Sequence, residues 1–267
     1  VFESMQPYFL GQFGNSSSIH SFGRDARAAL DESRDTIANL LGVRSGEVYF
    51  VSGGTEADNW ALKGVAAKMA DSGKSHIVTS AIEHHAVCKT CGFLETEGFQ
   101  VSYCDVDRHG MVDPATVRRA INRNTGLISI MHANNEVGTI NPVAAIAAIA
   151  REHGIVFHSD AVQAFGKIPV RVGDLDVDLL SLSAHKIYGP KGIGALYIRK
   201  GVEIERFVHG GGQERGRRAG TENVPLAVGF ARAASLIHEQ MEDEQRRLSV
   251  LKGTLRAMLE ERLPGIL

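Results

Sequence analysis

The chain has 267 residues, of which 43% are hydrophobic, and its 29 Lys plus Arg against 31 Asp plus Glu give a formal net charge of −2. At about 150 residues per domain, this length allows one large domain and part of another. The near-neutral charge excludes the concentrated positive surface that binding to nucleic acid or an anionic membrane requires, and no run of about eighteen apolar residues could span a bilayer.

Seven apolar stretches rich in β-branched residues recur along the chain, each bounded by Gly, Asp or Ser. Most are continuous rather than alternating, which is typical of strands covered on both faces. The predicted strands are residues 47–51, 76–80, 100–104, 127–131, 155–159, 179–183 and 194–198.

Stretches of helical periodicity separate these strands, at residues 24–41, 56–70, 84–97, 114–121 and 143–153. In the first helix, Ala26, Leu30, Ile37, Leu40 and Leu41 form an apolar stripe, and Arg27, Asp31, Glu32 and Arg34 are predicted on the opposite, exposed face. Strands that alternate with helices need crossover connections. The sequence therefore predicts an α/β protein with three layers, α/β/α, around a mainly parallel seven-stranded sheet.

The pattern changes from Pro225 onward, where no strand is predicted. A helix rich in Glu and Arg is predicted over residues 239–262, and Pro264 and Gly265 should end it. We therefore expect a large cofactor-binding domain over residues 1–241 and the first helix of a smaller C-terminal domain over residues 242–267.

Polar residues follow the predicted strands, at the sheet edge where open parallel sheets bind ligands. The turn at residues 52–56 offers backbone N–H groups and a hydroxyl to an anion. Taken singly, the other candidates have ordinary alternatives: His84 as a hydrogen-bonding residue, Asp160 as a helix cap and Lys186 as a solvated lysine.

Taken together, these residues fit pyridoxal 5′-phosphate. This cofactor needs a lysine amine for a Schiff base, an acid beside its pyridine nitrogen and a binding site for its phosphate. It also gains from a flat group stacked on its ring and from a donor to its phenolic oxygen. The sequence supplies a candidate for each role.

Six segments identify the family that the chain resembles. They are FGNSSSIH at 13–20, SGGTEADN at 52–59, MHANNE at 131–136, HSDAVQ at 158–163, SAHKIYGPKG at 183–192 and GGGQERGRRAGT at 210–221. They resemble the cysteine desulfurases of the NifS and IscS type, on the class-V aminotransferase branch of the fold-type-I pyridoxal-phosphate enzymes. Ser16 stands where this family commonly has proline.

The resemblance implies a role for each candidate residue. Lys186 forms the Schiff base and moves protons, Asp160 pairs with the pyridinium nitrogen, and His84 stacks on the ring and assists acid–base steps. Gln163 and Asn135 lie near the phenolic oxygen, and the phosphate is held by Gly54, Thr55, Ser183 and His185. Thr221 reaches the phosphate of a neighbouring subunit, which implies a homodimer with shared active sites. No metal site is predicted.

The implied reaction removes sulfur from L-cysteine, leaving L-alanine and an enzyme persulfide. The sulfur would serve iron–sulfur cluster or thio-cofactor assembly through acceptor or scaffold proteins. Partners of other kinds, nucleic acid or a membrane, are not expected.

Three cysteines, Cys88, Cys91 and Cys104, lie within one short stretch. Their odd number argues against a secreted disulfide framework and favours a reducing, cytoplasmic environment. Cys88 and Cys91, at i and i+3, are expected to pack within a helix rather than to form a redox or metal pair, and Cys104 is expected in the core.

The family's nucleophilic cysteine follows the long helix, and none of these three occupies its position. Val1 is no initiator, and the family's N-terminal segment and C-terminal substrate-binding arginine are not found. We therefore expect a chain cut at both ends, which binds the cofactor more readily than it turns over substrate.

Three alternatives stay open at this point. One is a selenocysteine lyase or another class-V lyase or aminotransferase, which would use the same cofactor domain. Another is a non-catalytic binding protein derived from a desulfurase, against which the presence of Lys186 and Asp160 argues. The weakest is phosphate or nucleotide binding by residues 210–220, which lack the Gly-Lys-Ser/Thr ending of a P-loop.

Overall fold

A computed structural model describes residues 1–263. It confirms the predicted α/β architecture: seven strands form one sheet in the order β1-β7-β6-β5-β4-β2-β3. Within this sheet β7 is antiparallel to both its neighbours, and the other pairs are parallel. The strands are β1 Val48–Val51, β2 His76–Ser80, β3 Gln100–Cys104, β4 Thr125–Ser129, β5 Val156–Asp160, β6 Leu179–Ser183 and β7 Gly194–Ile198.

The helices cover both faces of the sheet. They are α1 Phe2–Met5, α2 Ser21–Leu41, α3 Gly54–Asp71, α4 His85–Thr96, α5 Pro114–Ala120, α6 Val143–Glu152, α7 Val172–Leu175 and α8 Val224–Arg262. Helices α3 and α4 bury apolar side chains on one face, and α2, α5, α6 and α8 do so on the other. Among residues 1–263, no helix combines the length and apolar character needed to cross a membrane.

Three predicted strands differ from the observed ones in their bounds. Strand β1 begins at Val48, one residue later than predicted. Strand β4 runs from Thr125 to Ser129 rather than over 127–131, and β5 runs one residue later than predicted. The apolar run does continue through Ile130 and Met131. However, the backbone N–H of Met131 donates to the Glu83 carboxylate instead of to a neighbouring strand.

Helix α8 begins far earlier than the prediction of 239–262, at Val224. Its start is capped by the Asn223 side chain, which accepts a hydrogen bond from the backbone N–H of Leu226. The added turns are apolar, pack against α2 and bury Phe230 and Ile237 in the core. They lack a polar face, which is the feature that predicted the later part of the helix.

The predicted boundary between residues 241 and 242 falls inside this continuous helix. Residues 224–238 are mostly buried or half-buried, whereas residues 246–263 are exposed. The division into two domains stays a prediction. The helix-breaking Pro264 and Gly265 lie outside the described residues.

Arg34 corrects the predicted faces of the first helix. The apolar stripe is buried, but Arg34 is only 3% exposed and not on the solvent face. Its guanidinium makes two bonds to the Glu214 carboxylate, of 2.7 and 2.8 Å, and donates to the carbonyl of Val48. Glu214 also accepts the backbone N–H of Phe50. Helical periodicity could not indicate a partner 180 residues away.

We predict that breaking this pair is costly, because it leaves one charge buried without a partner. Arg34→Met should lower the free energy of unfolding by about 3–5 kcal/mol in urea denaturation. The matched control is Arg118→Met, which breaks the exposed pair with Glu152 and should not change the midpoint measurably. Equal losses in the two variants would contradict the prediction.

Candidate active site

A cavity of about 470 Å³ opens at the sheet edge where β1, β2, β4, β5 and β6 end and β7 begins. The antiparallel course of β7 brings its start to this edge, so Lys191 and Gly192 line the cavity as well. The predicted site residues that line it are Gly54, Thr55, His84, Asn135, Asp160, Gln163, Ser183, His185 and Lys186. The structure therefore brings together nine of the ten residues predicted from sequence.

The turn at residues 53–55 suits an anion. Helix α3 has 18 residues and begins at Gly54. The backbone N–H groups of its first turn have no intrahelical partners, and they form the positive end of the helix dipole. A Cβ atom on Gly54 would come within 2.7 Å of the Val162 side chain, so this position requires glycine. The Ser183 hydroxyl, hydrogen-bonded to His185 Nδ1 at 2.8 Å, lines the same cavity.

Glu56 and Arg218 form a contact beside this turn that the sequence did not indicate. Arg218 Nε lies 2.7 Å from Glu56 Oε1, and Glu56 also accepts the backbone N–H of Ser52. Burial acts to raise the pKa of Glu56, but the hydrogen bonds from Arg218 and Ser52 bring it below its ordinary value. The arginine thus compensates a carboxylate that would otherwise repel a bound anion, and it ties segment 210–221 to the turn.

Asp160 is the acid that the sequence predicted. It is 4% exposed, and its Oδ1 accepts the backbone N–H of Val162 at 2.8 Å. Burial raises its pKa above the ordinary range, while the charges of His84 and Lys186 act in the opposite direction. Asp160 is therefore a buried carboxyl that faces two cationic or potentially cationic groups.

Asp58 and Glu83 are further buried acids, and sequence reasoning gave them no role. Both are almost inaccessible, and burial raises the pKa of each, that of Glu83 to about 8. Glu83 Oε1 accepts bonds from Ser80 Oγ at 2.5 Å and from the backbone N–H of Met131 at 2.9 Å. One oxygen of each carboxyl, Asp58 Oδ1 and Glu83 Oε2, has no hydrogen-bond partner within residues 1–263.

A period-two pattern could have revealed part of this cluster. On β4, β5 and β6, polar residues replace apolar ones on the face that packs against α3 as each strand nears its end. These residues are Ser129, His158, Asp160, Ser181 and Ser183.

His84 caps helix α4, and this contact orients its ring. Its Nδ1 accepts the backbone N–H of Ala86 at 3.1 Å, so in the neutral ring the proton is on Nε2. The ring is exposed at the cavity wall, as a stacking role requires. Its ring nitrogen and the carboxyl oxygens of Asp58 and Asp160 lie within 4.8 Å of one another.

Lys186 follows β6 in a short 3₁₀ helix, Ala184–Ile187, and is exposed at the cavity. The side-chain oxygen of Gln163 accepts a hydrogen bond from Lys167 Nζ, which leaves its amide nitrogen to donate to a ligand. Thr221 is exposed and lies outside the cavity of its own chain. Its predicted role toward a second subunit stays a prediction.

Pyridoxal 5′-phosphate fits this set of groups. The turn at 53–55 supplies N–H donors and a hydroxyl for its phosphate, and Lys186 supplies the amine. A positively charged ring nitrogen would compensate the buried carboxylate of Asp160, which is 4% exposed. The residues present therefore match the charge and the donors of the cofactor, with Asp160 as the acid.

The three cysteines are poor nucleophiles by environment. Cys91 and Cys104 are buried, and burial raises the pKa of their thiols to about 12 and about 11. Cys88 is half-buried on the same helix as Cys91, and its thiol, whose pKa burial also raises, hydrogen-bonds to the Glu83 carbonyl at 3.3 Å. All three are free thiols, and Cys104 packs in the core as expected.

We predict that Glu83 makes the cofactor-free protein less stable as pH rises. Because the folded pKa of about 8 lies above the unfolded value of 4.5, the folded state holds a proton that the unfolded chain loses, and stability declines across this interval. Glu83→Gln keeps the acceptor oxygen but cannot ionise. The free energy of unfolding is measured by urea denaturation at pH 5.5 and 8.5. Between these pH values, wild type should lose about 3 kcal/mol more than Glu83→Gln. If the stabilities of wild type and Glu83→Gln change equally with pH, the raised pKa of Glu83 is contradicted.

The thiol environments predict a strong difference in reactivity. In the folded protein at pH 7.5, an aromatic disulfide reagent should modify Cys88 slowly and leave Cys91 and Cys104 unmodified, because so little thiolate is present and two of the thiols are inaccessible. Cys88→Ser should abolish this reaction, whereas the urea-unfolded wild type should react at all three sites. Fast modification of folded Cys91 or Cys104, located by mass spectrometry, would disprove this view.

Comparison with known proteins gives one consistent result. The Aminotransferase class-V family model matches residues 1–266. Among curated relatives, "Cysteine desulfurase IscS" of Dictyoglomus turgidum is 52% identical over 266 residues, and the protein of the same name from Methanosarcina thermophila is 54% identical over 255 residues. The chain spans 67% and 63% of the lengths of these two relatives, and 100% and 96% of the chain is covered.

Solved structures agree with this result. A "NIFS-LIKE PROTEIN" is similar with a TM-score of 0.95 and 42% identity, over 97% of this chain and 72% of that one. "SspA in complex with cysteine" has a TM-score of 0.85 and 46% identity, over 87% and 67% of the two chains. Pyridoxal 5′-phosphate is the cofactor of these enzymes. The chain belongs to the class-V aminotransferase family and, within it, to the cysteine desulfurases.

Proposed function

We propose that this chain acts in the pyridoxal-phosphate-dependent removal of sulfur from L-cysteine, which yields L-alanine and an enzyme-bound persulfide. The observation that carries the proposal is the cavity in which Lys186 and Asp160 meet the anion-binding start of α3. The similar structure of SspA in complex with cysteine supports cysteine as substrate over those of the other class-V reactions.

Each group of the cavity has a distinct task in this reaction. Bound pyridoxal phosphate supplies the electron sink that makes the substrate Cα acidic. Lys186 Nζ holds the cofactor and moves the proton at Cα, while Asp160 keeps a negative charge against the ring nitrogen. Gly54 and Thr55 bind the phosphate, and the exposed ring of His84 stacks on the cofactor and offers its Nε2 proton.

Sulfur transfer needs a thiolate that can reach the substrate sulfur. The buried, high-pKa thiols of Cys91 and Cys104 do not suit this step, and Cys88 is engaged with the Glu83 carbonyl. We propose that none of these three cysteines receives the sulfur, so the persulfide must form on an acceptor thiol other than Cys88, Cys91 and Cys104.

We further propose a homodimer, a cytoplasmic location, and a role in iron–sulfur cluster or thio-cofactor assembly through sulfur acceptors. The IscS names of the relatives support the assembly role, and three free thiols suit a reducing compartment. Large exposed apolar side chains near the N-terminus support a subunit interface; Phe13, Ile19 and Phe22 are 78%, 91% and 57% exposed. Light scattering that finds only monomer would remove Thr221 from the proposed site.

We predict that adding pyridoxal phosphate produces a new visible absorption band, because the cofactor bonds covalently to a lysine. Borohydride reduction followed by peptide mapping should place the adduct on Lys186 and not on Lys191, which lines the same cavity. Lys186→Ala should lose the band. An adduct on another lysine, or a band that survives Lys186→Ala, would disprove the cofactor assignment.

A further inference from the structure

Asp58 is an acid of the cavity that the proposed reaction leaves without a task. It lies on α3, one turn after the anion-binding Gly54, and is 1% exposed. Its carboxyl lines the cavity, with an oxygen within 4.8 Å of both Asp160 and His84. No hydrogen-bond donor among the described residues reaches its Oδ1. A buried polar atom of this kind requires a physical explanation.

The nearest candidate for a cationic partner is His158 of β5, whose Nε2 lies 3.6 Å from Asp58 Oδ1. Its two ring nitrogens already contact the hydroxyls of Ser129 and Ser181, each at 2.9 Å. Two hydroxyl partners suit a neutral ring, in which one nitrogen donates and the other accepts. Complete burial supports this state, since it lowers the pKa of His158 to about 3. His158 therefore supplies no positive charge to Asp58.

Two acids near Asp58, Asp160 of β5 and Glu83 after β2, also favour its neutral form. Their repulsion adds to the effect of burial, and together they raise the pKa of Asp58 well above its ordinary value. A hydrogen bond from Ser181 of β6 acts in the opposite direction, but burial and the repulsion of the acids outweigh it.

Asp160 has more contacts than Asp58 that stabilise a carboxylate. It accepts the backbone N–H of Val162 at 2.8 Å, and it lies under the favourable influence of His84 and Lys186. Two carboxyls so close together in a poorly solvated site do not both ionise readily. The environments therefore assign the negative charge to Asp160 and the proton to Asp58.

We propose that Asp58 is a positioning residue of the cofactor site, which stays protonated and packs beside Asp160 so that the site presents one negative charge to the cofactor ring. This inference rests on the proposed function for the identity of that ring. A single carboxylate balances a single ring cation, whereas a second one would leave a buried charge without a partner. The neutral Asp58 carboxyl fills the remaining space with a polar but uncharged group.

The charge state can be measured on the cofactor-free protein by infrared spectroscopy at pH 7, where protonated carboxyls have their own carbonyl band. Wild type should show this absorption from Asp58 and Glu83. Asp58→Asn should remove one component and Glu83→Gln the other, while Asp160→Asn should remove neither. Loss of a component in Asp160→Asn, or its full retention in Asp58→Asn, would overturn the proposal.

The positioning role is tested by cofactor affinity, measured from the visible band. Asp58→Ala should weaken binding by about tenfold or more, and the neutral isostere Asp58→Asn should recover most of it, to within about threefold of wild type. Asp160→Asn should lose at least about thirtyfold, because it removes the charge itself. Asp58→Asn as weak as Asp160→Asn would overturn the proposal.

These measurements separate failure of this inference from failure of the proposed function. If wild type forms no adduct at Lys186, the cofactor assignment fails, and the infrared result still decides whether Asp58 is protonated. If the adduct forms but the infrared bands or cofactor affinities of the Asp58 variants differ from those expected, only the role of Asp58 is wrong.

Discussion

The register of β4, β5 and β6 is the constraint on which the proposed site depends. Ser129 pairs with His158, and Asp160 pairs with Ser181. Because side chains alternate between the faces of a sheet, this register turns His158 and Asp160 to the face that carries Asp58 on α3. A slip of one residue would turn both side chains away from the cavity, to the opposite face of the sheet. The charge of the site is thus set by backbone hydrogen bonding.

Buried charge is handled in two different ways in this molecule. Arg34 and Glu214 form a bidentate ion pair that fastens segment 210–221 beside β1. The carboxyls beside the cavity are different, because Asp58 and Glu83 each keep an unpartnered oxygen. The Arg34–Glu214 pair balances its own charges, whereas raised pKa values keep Asp58 and Glu83 protonated beside the single carboxylate of Asp160.

The order of strands and helices could be predicted because each is a local pattern. Apolar β-branched runs predicted all seven strands, with shifts of one or two residues in β1, β4 and β5. Predictions failed where a distant group competes with the local one. The backbone N–H of Met131 donates to the Glu83 side chain rather than to a strand, and Arg34 is buried because it pairs with Glu214. The apolar start of α8 was missed because a helix buried on most sides shows little periodicity.

The sequence by itself determined the fold class, the family and nine of the residues that meet in the cavity, since these depend on short motifs that follow strands of a parallel sheet. Only the tertiary structure decided the charges within that cavity. Asp58 and Asp160 are identical in chemistry and differ only in their neighbours, a neutral His158 for one and a backbone N–H for the other. The cost of ionising a carboxyl depends on solvation and on nearby dipoles and charges, which exist only once the chain has folded.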